Sequence, residues 1–171
     1  MEDLALHVLD VMENSVAASA KRISLAIEED TRRDMLSIEI KDDGEGMDTE
    51  TQRRARDPFF TTKTTRRFGL GIPLLAQAAR ESQGTFVIDS HPGKGTKVTA
   101  TFRRSHLDRK PLGDMMETIR TILAGRPGLR LRYEHKIDKS VYRFDSEDFT
   151  DDLLVTTSEG TRGEGDGDTH R

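Results

Sequence analysis

Asp10 and Asn14 stand in a largely apolar helical stretch near the start of the chain. Four residues apart on a helix, they share a face about one turn apart. An amide oxygen is a hard ligand suited to Mg²⁺, a cation that binds mainly through substrate phosphates. A carboxylate one turn earlier can hold a metal-bound water or take a proton from an attacking hydroxyl. Taken alone, the pair also fits two ordinary solvated or capping residues. The second candidate is Lys41-Asp-Asp-Gly-Glu-Gly-Met47, directly after a strand pattern. Gly44 and Gly46 let the backbone turn sharply and a flat ligand approach closely. Asp42, at the strand end, can accept a hydrogen bond from an exocyclic amine such as adenine carries; guanine presents a carbonyl there and is repelled. The third is Phe68-Gly-Leu-Gly-Ile72 opening a helix, where Gly69, Leu70 and Gly71 offer backbone N–H groups to an anion. Lys63, Arg66 and Arg67 lie just upstream to screen the same charge. The segment is neither a Walker loop nor a dinucleotide fingerprint. The fourth, Gly93-Lys-Gly-Thr96, reads by itself as a hairpin turn.

The elements that must position these residues follow from the apolar pattern. Residues 3–20 read as a helix whose stripe carries Leu6, Leu9, Val16 and Ala20, widened by Leu4, Val8, Val11 and Met12. Residues 23–27 and 36–40 alternate with the period of two expected of strands. Residues 43–69 are rich in Gly, Thr, Arg and Asp, with one short helix near 49–56. So long an irregular segment inside a compact domain is usually functional. A helix over 70–82 and strands over 85–89 and 97–102 complete the pattern. It predicts a two-layer α+β sandwich with a mainly antiparallel sheet and helices on one face. Residues 1–104 form this domain, and residues 105–150 add a helix near 114–124 and strands at 129–133 and 141–144. That hairpin either extends the main sheet or makes a dimer edge; extension is favoured because a lone hairpin is unstable in water. Arg103, Arg104, Arg109 and Lys110 read as a solvated linker. Residues 151–171 have little to bury and read as a disordered tail.

Composition narrows the function classes. The 171 residues are 33% apolar, 5% aromatic and 34% charged, and 27 Lys and Arg against 31 Asp and Glu leave a net charge of −4. That balance argues against a nucleic-acid partner. The absence of Cys removes disulfides, thiolate metal sites and thiol nucleophiles. No apolar run has the length to span a bilayer, and the N-terminus lacks a secretory pattern, so the expectation is a cytoplasmic protein without a membrane partner.

In this order and spacing, the four motifs resemble the ATP-binding domain of the GHKL superfamily over about residues 3–103. That superfamily includes histidine kinases, type II topoisomerases, mismatch-repair ATPases, the large heat-shock chaperone and the anti-sigma-factor serine kinases. Asp57-Pro-Phe-Phe-Thr-Thr-Lys63 is similar to the phenylalanine box of histidine kinases. The resemblance implies a Bergerat-type fold binding ATP or ADP with Mg²⁺. Asn14 would coordinate the metal, and Asp42 would bind the adenine amine. Gly44 and Gly46 would give the base room, and Met47 would line it. Lys63, Gly69, Leu70 and Gly71 would contact phosphates, and Thr96 would help hold the adenine edge. Asp10 stands where topoisomerase-like and anti-sigma members carry a catalytic Glu, one methylene longer. Arg67-Phe68 replaces the Gly-Thr that many histidine kinases place before Gly-Leu-Gly. A self-contained histidine kinase needs a phospho-accepting hairpin ahead of this domain, and the first helix begins near residue 3. His7 on that helix reads as solvated or partner-facing, and His91, His106, His135 and His170 are no better acceptors. Two readings remain. One is a kinase phosphorylating a Ser, Thr or His of a protein partner in trans; the other is a nucleotide-gated, anti-sigma-like binding switch whose 47–68 segment is ordered by ATP, with little or no catalysis.

Overall fold

The computed structural model describes residues 3–57 and 71–149. Along the chain these residues form α1 (Leu4–Ala17), β1 (Arg22–Asp30), β2 (Met35–Asp42), α2 (Thr49–Ala55), α3 (Gly71–Glu81), β3 (Phe86–Ser90), β4 (Thr96–Arg103), α4 (Met115–Leu123), β5 (Arg130–Ile137) and β6 (Ser140–Asp145), with a 3₁₀ turn at Ser146–Phe149. Lys63, Gly69, Leu70, the Pro-Phe-Phe segment and the acidic tail expected from the sequence lie outside the described residues.

The six strands make one sheet in the order β3-β4-β2-β1-β5-β6. Every neighbouring pair is antiparallel except β1 and β5, which run parallel from Arg22↔Arg130 to Glu29↔Ile137. Period-two alternation places Leu25, Ile40, Val98 and Ile88 in one cross-sheet row and Ile27, Ile38 and Ala100 in the next. These side chains are buried, and α1, α3 and α4 supply the rest of the core: Leu4, Val8, Met12, Leu75, Ile119 and Ile122. The architecture is the expected α+β sandwich, with a mixed, mainly antiparallel sheet. The 129–144 segment extends the sheet, β5 on β1 and β6 outside it. On the other side of the chain, α4 packs on α1, where the Thr118 hydroxyl donates to the Ala5 carbonyl.

Three expectations are corrected. The buried face of α1 centres on Leu4, Val8, Val11, Met12 and Ser15, while Leu6 is exposed and Leu9, Val16 and Ala20 lie at the margin. Apolar residues surround this helix, so sequence period alone does not set its rotation. His7 is neither solvated nor partner-facing: it is 0% exposed, on the core side of α1. Arg103 and Arg104 are anchored rather than free in a linker. Arg103 Nε lies 3.2 Å from Asp34 Oδ2, and Arg104 Nε lies 3.1 Å from Oε1 of the buried Glu29. The other oxygen of Glu29 sits 2.7 Å from His135 Nε2 on β5, so a carboxylate placed in the core is met by charge and hydrogen bonds.

Candidate nucleotide site

α1 and the ends of β2 and β4 meet at a cavity enclosing about 240 Å³, lined by Asn14, Ser15, Asp42, Gly46, Met47 and Thr96 among others. Its walls are apolar, from Val11 on α1, Ile40 on β2, Ile72 on α3 and Val98 on β4. Ile40 and Val98 are direct cross-strand partners facing the helices, so the sheet itself lays a flat apolar floor.

Asp42 is the polar centre of that floor. Its Oδ2 accepts from the Ser15 hydroxyl at 2.6 Å and its Oδ1 from the Gly44 amide at 2.9 Å. A carboxylate only accepts, so the Ser15 proton is committed to Asp42 and the Ser15 lone pairs stay available. A second hub is Ser90 at the end of β3. Its oxygen receives the Met47 amide at 2.8 Å, donates to the Gly95 carbonyl at 3.1 Å, and lies 2.8 Å from Thr96 Oγ1. With the Ser90 proton on Gly95, Thr96 donates to Ser90 and turns acceptor lone pairs outward. Asp42, Ser15 and Thr96 therefore make a cluster that offers acceptors. It matches a ligand edge bearing hydrogen-bond donors.

Backbone approach brings these groups together. Gly46 has φ +70°, and a Cβ on it would overlap the His91 carbonyl oxygen, so the 43–48 turn and the β3–β4 connection interlock only at glycine. Asp43 anchors the same turn by accepting from the Lys21 and Arg22 amides at 2.8 and 2.9 Å. Its burial favours a higher pKa, but these amides hold the carboxyl below its ordinary range. α2 is capped by Asp48, whose Oδ1 accepts from the Thr51 amide at 2.7 Å, and Gln52 Nε2 donates to the Ser90 carbonyl at 2.7 Å.

Asn14, which also lines the cavity, is half-buried with its amide nitrogen enclosed and without a hydrogen-bond partner. An orphaned buried amide is costly, which marks the position as one completed by something else. Asp10, one turn earlier, is half-buried beside the start of α3: a Cβ on Gly71 would lie 2.6 Å from the Asp10 Cβ. Close packing of α3 against α1 thus sets Gly71, the first described residue of α3, against Asp10 and Val11.

The structure brings together Asp10, Asn14, Asp42, Gly44, Gly46, Met47, Gly71 and Thr96 of the residues singled out from the sequence. Ser15, Ser90, Ile40 and Val98 were missed. The alternation of β2 and β4 marks Ile40 and Val98 as inward-facing, and Ser15 sits beside Asn14; nothing local marks Ser90.

Residues 2–106 match the family described as histidine kinase-, DNA gyrase B-, and HSP90-like ATPase. Among curated proteins, the chain is 40% identical over 92 residues to the sensor protein kinase FleS of Pseudomonas aeruginosa, covering 54% of this chain and 23% of that protein. It is 32% identical over 106 residues to a probable C4-dicarboxylate sensor kinase of Bacillus subtilis, covering 58% and 19%. The sensor histidine kinase YxdK of the same species gives 34% over 104 residues, covering 58% and 32%. The chain thus spans less than a third of the length of these relatives. Among solved structures, the N terminal domain of a DNA repair protein superposes with a TM-score of 0.46 at 14% identity, over 85% of this chain and 53% of that one. With more than half of its length inside the matched region, this chain belongs to the histidine kinase-, DNA gyrase B- and HSP90-like ATPases.

Proposed function

We propose that the protein binds Mg²⁺-ATP in the α1–β2–β4 cavity and transfers the γ-phosphoryl group to a Ser, Thr or His of a protein partner. The observation that carries this reading is the acceptor cluster around Asp42 on an apolar floor, with Asn14 lining the same cavity and Gly71 of α3 packed against Asp10. Asp42 takes the exocyclic amine of adenine; a guanine carbonyl would face an acceptor and lose affinity. Ile40, Met47 and Val98 cover the base, and Thr96 accepts at its edge.

The phosphate end suits a hard cation. Among the described residues no three His, Asp or Glu side chains converge on a metal position. The donor set is therefore Asn14 with the phosphate oxygens themselves, the pattern Mg²⁺ favours. The orphaned Asn14 amide fits that role, its two ends being exchangeable by a flip. Mg²⁺ there supplies neutralisation of the phosphoryl oxygens. Gly71 and the amides before it would hold phosphate, with Lys63 assigned the same task. Asp10 would orient or deprotonate the acceptor hydroxyl.

The test is transfer of label from γ-labelled ATP, in Mg²⁺, to a co-purifying partner. Transfer should vanish in Asn14→Ala and fall in Asp10→Asn. ADP release with no labelled protein overturns the kinase reading. A second reading, a nucleotide-gated binding switch, is favoured by Met47 and Thr51, which line the cavity and begin the 47–68 segment. It requires protease cleavage between Arg53 and Arg67 to change on adding nucleotide.

A further inference from the structure

The alternation that turns Leu25, Ile40 and Val98 toward the helices turns Ser24, Lys41 and Lys97 onto the other face of the sheet. One row there runs Lys97, Lys41, Ser24, Arg132 and Asp145, across β4, β2, β1, β5 and β6. Lys41 and Lys97 are direct cross-strand partners, and like charges so opposed are unfavourable. The nearest acids are engaged elsewhere. Asp145 lies 3.1 Å from Arg132, and Asp89, opposite Lys97 on β3, lies 3.3 Å from His91. Among the described residues no carboxylate pairs with Lys41, Lys94 or Lys97. A groove passes over these side chains. A cavity of about 250 Å³ lined by Arg22, Arg130, Arg132 and Glu147 shares Lys41 with one of about 160 Å³ lined by Lys94 and Lys97.

The described residues end on the rim of that groove. Arg130 holds Glu147 at 2.8 Å, and the Leu131 amide donates to the Ser146 hydroxyl at 2.8 Å, which fixes the 3₁₀ turn beside the larger cavity. The sequence that follows carries the charge the lysines lack. Residues 151–171 hold Asp151, Asp152, Glu159, Glu164, Asp166 and Asp168 against Arg162 and Arg171, which accounts for the whole net charge of −4. We infer that this C-terminal segment folds back over the face turned away from the helices, with the carboxylates of Asp151 and Asp152 on Lys41 and Lys97. The span fits. With strands about 4.8 Å apart and about 3.3 Å per residue, Lys41 and Lys97 stand about 12 and 16 Å from Arg130. The four or five residues from Glu147 to Asp151 and Asp152 reach about 13–18 Å when extended. A tethered segment also meets its site at an effective concentration in the millimolar range, ahead of a free acidic partner. The inference stands independently of the nucleotide reading.

The test uses the full-length protein and a carbodiimide, which couples a lysine amine to a carboxylate where the two touch. Peptide mapping should find Lys41 or Lys97 joined to Asp151 or Asp152. In a mixture of light and heavy isotope-labelled chains, the link should stay within one chain. Combining Asp151→Asn with Asp152→Asn should make Lys41 and Lys97 acetylate several-fold faster, with Lys110 and Lys136 unchanged. Equal acetylation in the wild type and the double variant overturns the inference and leaves the groove to an external anion. Absence of the link overturns it as well, as do links that join two chains or that take these lysines only to Asp89 or to acids beyond Asp152.

Discussion

Ser15 shows how much a single hydroxyl carries in this site. Among the described residues it is the only side chain bonded to Asp42, and removing it leaves one carboxylate oxygen without its donor. Hydrogen bonds to charged groups contribute about 1.5–3 kcal/mol. Ser15→Ala should therefore weaken ATP binding about tenfold by calorimetry and also lower the melting temperature by several degrees. Asp42→Ala should in addition abolish the preference for ATP over GTP. Tyr133 reports at the same scale. Burial pushes its phenol up to about 12, with Tyr142 and Glu29 adding to the effect. The folded state keeps a proton there that the unfolded chain releases near 10, so stability should decline as pH rises from about 10 to about 12. Alkaline melts of wild type and Tyr133→Phe should diverge in that window, the variant losing less. Of the candidate residues, Asp10, Asn14, Asp42 and Thr96 could be singled out because motif spacing survives in one dimension. Ser90 was not, because its role is to be the shared partner of Met47, Gly95 and Thr96, a relation created by strand register.

At the scale of elements, the strand pattern was readable and the helix rotation was not. β1, β2 and β4 alternate cleanly, so their inward residues follow from period two. α1 is apolar nearly all round, and only packing against α3 and α4 decides that Leu6 faces water and His7 does not. The anchoring of Arg103 and Arg104 was equally invisible, since Asp34 and Glu29 lie some seventy residues earlier in the chain. Turns are tied in the same long-range way. Asp138, in the β5–β6 turn, accepts from the Thr31 amide at 2.9 Å and the Thr31 hydroxyl at 2.8 Å. The Thr31 amide and then its hydroxyl hold this carboxyl below its ordinary value of 3.8. A depressed carboxylate contributes stability above its unfolded pKa, and that contribution is lost as pH falls through the folded value. Asp138→Ala should accordingly lower the melting temperature at neutral pH, with the difference from wild type shrinking below about pH 3.8.

For the molecule as a whole, the hairpin and the ATPase fold form a continuous structure. Leu131 on β5 is fully buried opposite Ile23 of β1, inside the same core as Leu25 and Met12. Leu131→Ala should cost about 2–5 kcal/mol. It should do so in one cooperative denaturant transition read identically by fluorescence and circular dichroism, because the two parts share a sheet. An early separate transition for residues 105–149 would contradict this.

The parallel alignment of β1 with β5 also dictates an order of events on the ribosome. β1 leaves the exit tunnel more than a hundred residues before the strand that shields its flank, given the Arg22↔Arg130 pairing. Until that strand arrives, the nascent ATPase module carries a bare ladder of amides and carbonyls beside Leu25 and Ile27, a template for mispairing with neighbouring chains. A messenger truncated after codon 104 would freeze the protein at that vulnerable moment, and its product should collect in inclusion bodies.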